Sequence, residues 1–120
     1  MRKILYSSGY GAGWSSTNGS TKEEMRWLCE YKPFIEYLET HGAFPKVERT
    51  GFGDEYETTD LGRQFIKDWK AAFPESPVPY LGAMKKLRIH TIKDDEQYRI
   101  DEYDGKERVI TRNEAEDEWL

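Results

Sequence analysis

The residues with the greatest capacity for chemistry stand together near the start of the chain, in Tyr6-Ser7-Ser8-Gly9-Tyr10-Gly11-Ala12-Gly13-Trp14-Ser15-Ser16. Glycine at alternate positions lets successive backbone N–H groups turn toward a common point, and such concavities bind anions. The loop's hydroxyls add donors, and Tyr10 and Trp14 offer flat faces for a base. Arg99, far along the chain, supplies a planar fork suited to phosphate. A small phosphorylated or nucleotide-like ligand fits this composition. The expected ligand-binding set is Tyr6, Ser8, Gly9, Tyr10, Gly11, Gly13, Trp14, Ser15 and Arg99. The segment is not a Walker loop, because Gly-Lys-Ser/Thr is missing. It is not a dinucleotide fingerprint either, because the second spacing is wrong and the helix start lies beyond Gly13. Packing competes with this reading, since glycine also serves where two backbones cross closely.

Catalysis finds less support. Ser15 and Ser16 lie outside any Gly-x-Ser-x-Gly elbow. Cys29 neighbours an apolar stripe and reads as a small core residue. His41 precedes a helix stop, His90 falls on the polar face of a strand, and one cysteine completes no metal-ligand spacing. Asp94, Asp95 and Glu96 read as turn residues rather than a magnesium site. The expectation is a protein without enzymatic activity, cofactor or metal. Lys85, Lys86 and Arg88 form the one basic cluster, with Arg99 expected in the neighbouring strand. They suit a ligand phosphate or an acidic partner, or else an exposed face that keeps the protein soluble.

The elements that must position these groups follow from periodicity and punctuation. Arg2–Ser7 reads as a strand and Ser8–Gly19 as a loop. Ser20 or Thr21, with Glu23 or Glu24 three residues on, marks a helix start. Met25, Leu28, Tyr31, Ile35 and Leu38 continue at helical spacing. Pro33 divides that stripe into two helices, and Gly42 ends the second. Phe44–Tyr56 has no firm period. Thr58 or Thr59 caps a helix that carries Leu61, Phe65, Ile66, Trp69 and Phe73 on one face. Gly62 weakens it and Pro74 ends it. The prolines at 74, 77 and 79 stiffen the connection that follows.

Strands close the chain. Leu87, Ile89 and Thr91 alternate with polar residues, and Asp104-Gly105 signals a two-residue hairpin. The register sets Tyr98 against Thr111, Ile100 against Val109 and Asp101 against Arg108. It also sets Glu102 against Glu107, a like-charge pair on the apolar face. The predicted fold is α+β: a small antiparallel or mixed sheet, from the first strand and three later ones, covered by two or three helices.

The 120 residues suit one domain. Four tryptophans, eight tyrosines and five phenylalanines supply much of a core and argue against disorder. No apolar run approaches a membrane span, Met1–Tyr6 is too short for a signal peptide, and a single cysteine fits a reducing cytoplasm. Of the net charge of −5, residues 94–120 carry 4 basic against 11 acidic side chains. Direct nucleic-acid binding is not expected of such a balance. The acidic end reads as a solvated face, as a surface for a basic protein or as a mimic of a phosphate backbone.

Three blocks carry a resemblance. Leu5-Tyr6-Ser7-Ser8-Gly9-Tyr10-Gly11-Ala12-Gly13-Trp14-Ser15, Tyr80-Leu81-Gly82-Ala83 and Tyr98–Gly105 resemble, in order and spacing, a widespread family of small uncharacterised phage and prophage proteins. They cover about a quarter of the chain. The chain departs from that pattern at Asn18, where an aromatic is expected nearby, and at Ala83, where a second glycine is expected. The resemblance implies a phage or prophage accessory protein in the host cytoplasm, of the kind that sequesters a signalling nucleotide or blocks a host defence protein. It carries over no activity and no residue roles, and homo-oligomerisation is left open.

Overall fold

The computed structural model describes residues 1–45, 56, 59–111 and 119–120. The fold is α+β. Strand β1 (Arg2–Ser7) leads into the glycine-rich loop, which ends in a single helical turn, α1 (Ser15–Asn18). Helices α2 (Lys22–Cys29), α3 (Lys32–His41) and α4 (Asp60–Ala72) follow, then a 3-10 turn (Met84–Lys86), β2 (Leu87–Ile92), β3 (Tyr98–Tyr103) and β4 (Lys106–Thr111). The turn α1 interrupts what the sequence suggests is continuous loop. Of the irregular stretch expected over Phe44–Tyr56, residues 46–55 lie outside the described residues.

The helices begin and end where local chemistry says they should. The Thr21 hydroxyl accepts the Glu24 N–H at 3.1 Å, and the Glu24 carboxylate accepts the Ser20 N–H at 2.9 Å. This is a capping box reaching one residue further back than usual. Pro33 occupies the first turn of α3, and Gly42 stops that helix with φ of 83°. Thr59 caps α4 by accepting from the Gly62 N–H. Gly62 has a positive role there: a Cβ would overlap the Tyr56 carbonyl, so glycine admits a crossing backbone rather than merely weakening the helix.

The expected single sheet is instead two. β1 pairs antiparallel with β2, from Arg2 opposite Ile92 to Ser7 opposite Leu87. β3 pairs antiparallel with β4, from Tyr98 opposite Thr111 to Tyr103 opposite Lys106. The hairpin register is the one the sequence predicts, and Asp104 (φ 50°) and Gly105 (φ 86°) both take the left-handed conformation of its turn. β1 and β4 lie side by side, yet no backbone ladder joins them. The N–H of Ser7 at that junction donates to the Glu107 side chain at 2.8 Å, so a carboxylate takes the bond a ladder would make.

Two apolar clusters result. The larger is aromatic: Trp14, Phe34 and Phe65 form a triangle with ring centroids 5.3–5.8 Å apart, and Trp27, Tyr31 and Trp69 pack around it. The smaller joins Ile4, Cys29, Ile92 and Tyr98 to Ile100, Val109 and Leu120, and seats the hairpin on the body. No helix among the described residues is long and apolar enough to cross a membrane.

Candidate functional site

The glycine-rich loop is built around an anion, and that anion belongs to the protein. Glu107 sits on β4 with only 2% of its surface exposed. Its Oε1 accepts the Ser7 N–H at 2.8 Å. Its Oε2 accepts the Trp14 N–H at 2.9 Å, the Ser16 N–H at 3.0 Å and the Ser16 hydroxyl at 2.5 Å. One carboxylate therefore ties the end of β1 to the start of α1 and closes the loop between them. A buried charge survives only with such partners. The amides that converge are those of Ser7, Trp14 and Ser16 rather than those of the glycines, since Gly11 donates to the Asp104 carbonyl and Gly13 to the Thr17 hydroxyl, and Glu107 stands between the converging groups.

The glycines are fitted to this arrangement. A Cβ on Gly13 would lie 2.9 Å from Glu107 Oε2 and collide with Ser16 Oγ. Gly11 adopts φ of 106° and donates its N–H to the Asp104 carbonyl at 2.7 Å. A Cβ on Gly105, across that contact, would overlap the backbone of Gly11. Loop and hairpin turn thus meet glycine to glycine, as the packing alternative requires. Gly9 lies over the Lys86 side chain, whose Cδ is 2.8 Å from where a Cβ would stand.

The sequence-derived site residues separate into three groups. Trp14 and Ser15 are wholly buried. The Trp14 indole N–H donates to the Leu28 carbonyl at 2.8 Å, and its ring belongs to the aromatic triangle, so it offers no face to a ligand. Arg99 stands over Trp119 at 5.3 Å, with its Nε 3.7 Å from Asp101. Five residues from Asp104, where the loop meets the hairpin turn, it lies about 17 Å along the strand from that contact. β2 pairs with β1, so Arg99 is not beside Lys86 and Arg88. Tyr6 packs edge-on against His90, and the Ser8 hydroxyl donates to the Lys86 carbonyl at 2.8 Å.

Tyr10 and Gly11 are the exposed members of the set, and Tyr10 alone of the two carries a side chain, 58% exposed. Two ammonium groups approach it. Lys86 Nζ donates to the Tyr10 carbonyl, and Lys106 Nζ stands 5.5 Å from the centre of its ring. Among the described residues neither lysine has a carboxylate within 4 Å. Tyr10, Tyr103, Lys106 and Arg108 line one polar cleft of about 530 Å³. The acidic groups of that cleft are spent: Asp101 on Arg108 at 3.4 Å, Glu102 on the Gly105 N–H at 2.6 Å, and Glu107 on the loop. Sequence reasoning missed Lys106 and the role of Glu107. The one trace of Glu107 was a charged residue on an apolar hairpin face.

A larger hollow of about 780 Å³ lies between α2, the start of α3 and α4, floored by Trp27 and Tyr31. Several of its polar groups are engaged, Tyr31 with Asp68 at 2.6 Å and Glu30 with Arg2, Arg26 and Tyr98. Burial, then Asp68, raises the Tyr31 hydroxyl above its ordinary range. Burial pushes the Cys29 thiol up to about 12, which leaves it a poor nucleophile. No group of three His, Cys, Asp or Glu among the described residues is placed to hold a metal.

No protein-family model, curated protein or solved structure matches the chain.

Proposed function

We propose that this is a non-enzymatic binding protein whose loop and hairpin turn together take up a small phosphorylated or nucleotide-like ligand. The carrying observation is the pair of lysines at Tyr10. An exposed ring with one ammonium group near its face and a second on its backbone carbonyl, neither within 4 Å of a carboxylate among the described residues, suits a planar group bearing phosphate. Tyr103, 78% exposed across the cleft, provides a second ring. The loop beneath is fixed at both ends, so little conformational entropy is lost when a ligand docks. Trp14, Ser15 and Arg99 take no part in this version of the site. The buried Ser15 and Cys29, and two histidines packed against Tyr37 and Tyr6, support assigning no catalytic residue.

The resemblance to phage and prophage proteins supports a biological setting for this proposal: an accessory protein that sequesters a host signalling nucleotide. The alternative is a protein–protein inhibitor acting through residues 94–120; of these, 112–118 lie outside the described residues, and several acidic groups among the described ones are already engaged. Asp94 pairs with the chain's N-terminus at 2.8 Å, Glu96 closes its own turn, and Asp101, Glu102 and Glu107 are engaged as above.

Calorimetric titration with ADP, cyclic AMP and a cyclic dinucleotide tests the reading. At least one should bind and be recovered unchanged. Tyr10→Ala, Lys86→Met and Lys106→Gln should each weaken it about tenfold, in line with the loss of one stacking or phosphate contact, with little change in thermal midpoint. Absence of binding by all three probes, or variants that bind as the parent does, would refute it.

A further inference from the structure

The cradle around Glu107 has the composition of an anion receptor: three backbone N–H groups and one hydroxyl converge on two oxygens. We infer that Glu107 is the positioning residue of the loop, the resident anion of a cradle whose occupation sets where Tyr10 and the Lys86 ammonium stand. This rests on the proposed ligand site for its functional meaning, although its structural content is independent of any ligand.

The argument is one of connectivity. The loop between Ser7 and Trp14 has a fixed start, a fixed end and one pin near its tip. Ser7 N–H donates to Oε1, and Trp14 and Ser16 N–H donate to Oε2, so the two ends are held by opposite oxygens of one group. The tip is held by the Gly11 N–H on the hairpin turn, and that turn is two residues from Glu107 itself. Tyr10 lies between the pins, with its side chain in solvent and its carbonyl on Lys86. An amide in place of the carboxylate cannot satisfy both ends, because its NH₂ would face a donor. Hydrogen bonds to a charged acceptor are also the stronger kind, about twice as strong as neutral ones.

Glu107→Ala removes two carbons and two oxygens, which together are acetate. The test is titration of ¹⁵N-labelled Glu107→Ala with sodium acetate, against sodium chloride at equal ionic strength, while the amide signals and the thermal midpoint are followed. Acetate should shift the Ser7, Trp14 and Ser16 amides toward their parental positions. Those of Tyr10 and Gly11 should return with them, and the midpoint should rise by a few degrees once acetate exceeds its dissociation constant about tenfold. The parent protein, its cradle filled, should not respond.

Equal responses to chloride and acetate would overturn the receptor. Recovery at Ser7, Trp14 and Ser16 without recovery at Tyr10 and Gly11 would overturn positioning and leave a structural tie. If Glu107→Ala does not fold at any acetate concentration, Glu107→Gln provides the reading. Its Trp14 or Ser7 amide should move together with that of Tyr10, and an unmoved Tyr10 amide would count against the inference. No nucleotide enters these measurements, so failure of the ligand proposal and failure of this one are separately visible.

Discussion

At Glu107 the desolvation of one carboxylate is offset by four donors, two of which, the N–H groups of Ser7 and Trp14, are buried. Glu107→Leu keeps the volume and removes the acceptor, leaving the buried N–H groups of Ser7 and Trp14 unpaired. Each buried donor left unsatisfied costs about 1–3 kcal/mol, so urea denaturation should show a loss of about 2–6 kcal/mol for the two. Two glycines allow strain and contact to be separated. Gly42 and Gly105 both have φ near 85° (83° and 86°), but a Cβ on Gly42 would meet nothing within 4 Å, whereas one on Gly105 would strike the Gly11 backbone. Gly42→Ala should cost about 1 kcal/mol from the left-handed conformation alone. Gly105→Ala should cost at least about twice that on the same principle, because the hairpin turn must also move off the loop. Equal losses would mean that the glycine-to-glycine contact contributes nothing.

Elements whose signals are local were legible in the sequence. Thr21 and Thr59 cap because their hydroxyls sit beside the donors they satisfy, and Asp104-Gly105 sets a register by backbone conformation alone. What the sequence could not show was partnership over distance. Trp14 and Glu107 bond across 93 positions, so nothing local to the loop signalled the carboxylate that ties it down. Nor can composition distinguish a ring exposed for stacking from one needed in the core, and Trp14 proved to be the second kind. The same long reach governs α2, where the Ser76 hydroxyl donates to Glu24 across 52 positions at 2.5 Å. That bond, then those from Ser20 and Thr21, lowers the Glu24 carboxyl below its ordinary 4.5. The folded state therefore holds the proton less tightly than the unfolded chain. This contribution to stability is present above about pH 4.5 and disappears as pH falls through the depressed value. Ser76→Ala should raise the folded value toward the ordinary one and so weaken the pH dependence of stability between them. Circular dichroism during acid titration would check this, and an unchanged slope below pH 4.5 would show that Ser76 does not hold the group down.

For the molecule as a whole, charge and site oppose each other, and the opposition can be measured. The chain carries a net −5, concentrated after residue 93, while the proposed ligand is itself an anion attracted by Lys86 and Lys106. The field of the whole protein acts on approach, and the local contacts act on retention. Neutral isosteres at Glu114, Glu116, Asp117 and Glu118 change the net charge from −5 to −1 and leave the sequence at both lysines unchanged. For an anionic ligand that change removes repulsion. Stopped-flow association of a nucleotide probe should become several-fold faster at low salt, with dissociation unchanged. The gain should shrink as ionic strength rises and the screening length falls to about 8 Å at physiological salt. A basic protein partner requires the opposite, since the same four residues would attract it, and their neutralisation would slow association and weaken binding. In cells, the inhibitor reading then predicts that the neutral tail abolishes activity against a host defence system while Tyr10→Ala spares it. The ligand reading predicts that Tyr10→Ala abolishes activity at equal expression and that the neutral tail preserves it. Loss of activity with the tail alone would move the function from the loop to the acidic end of the chain.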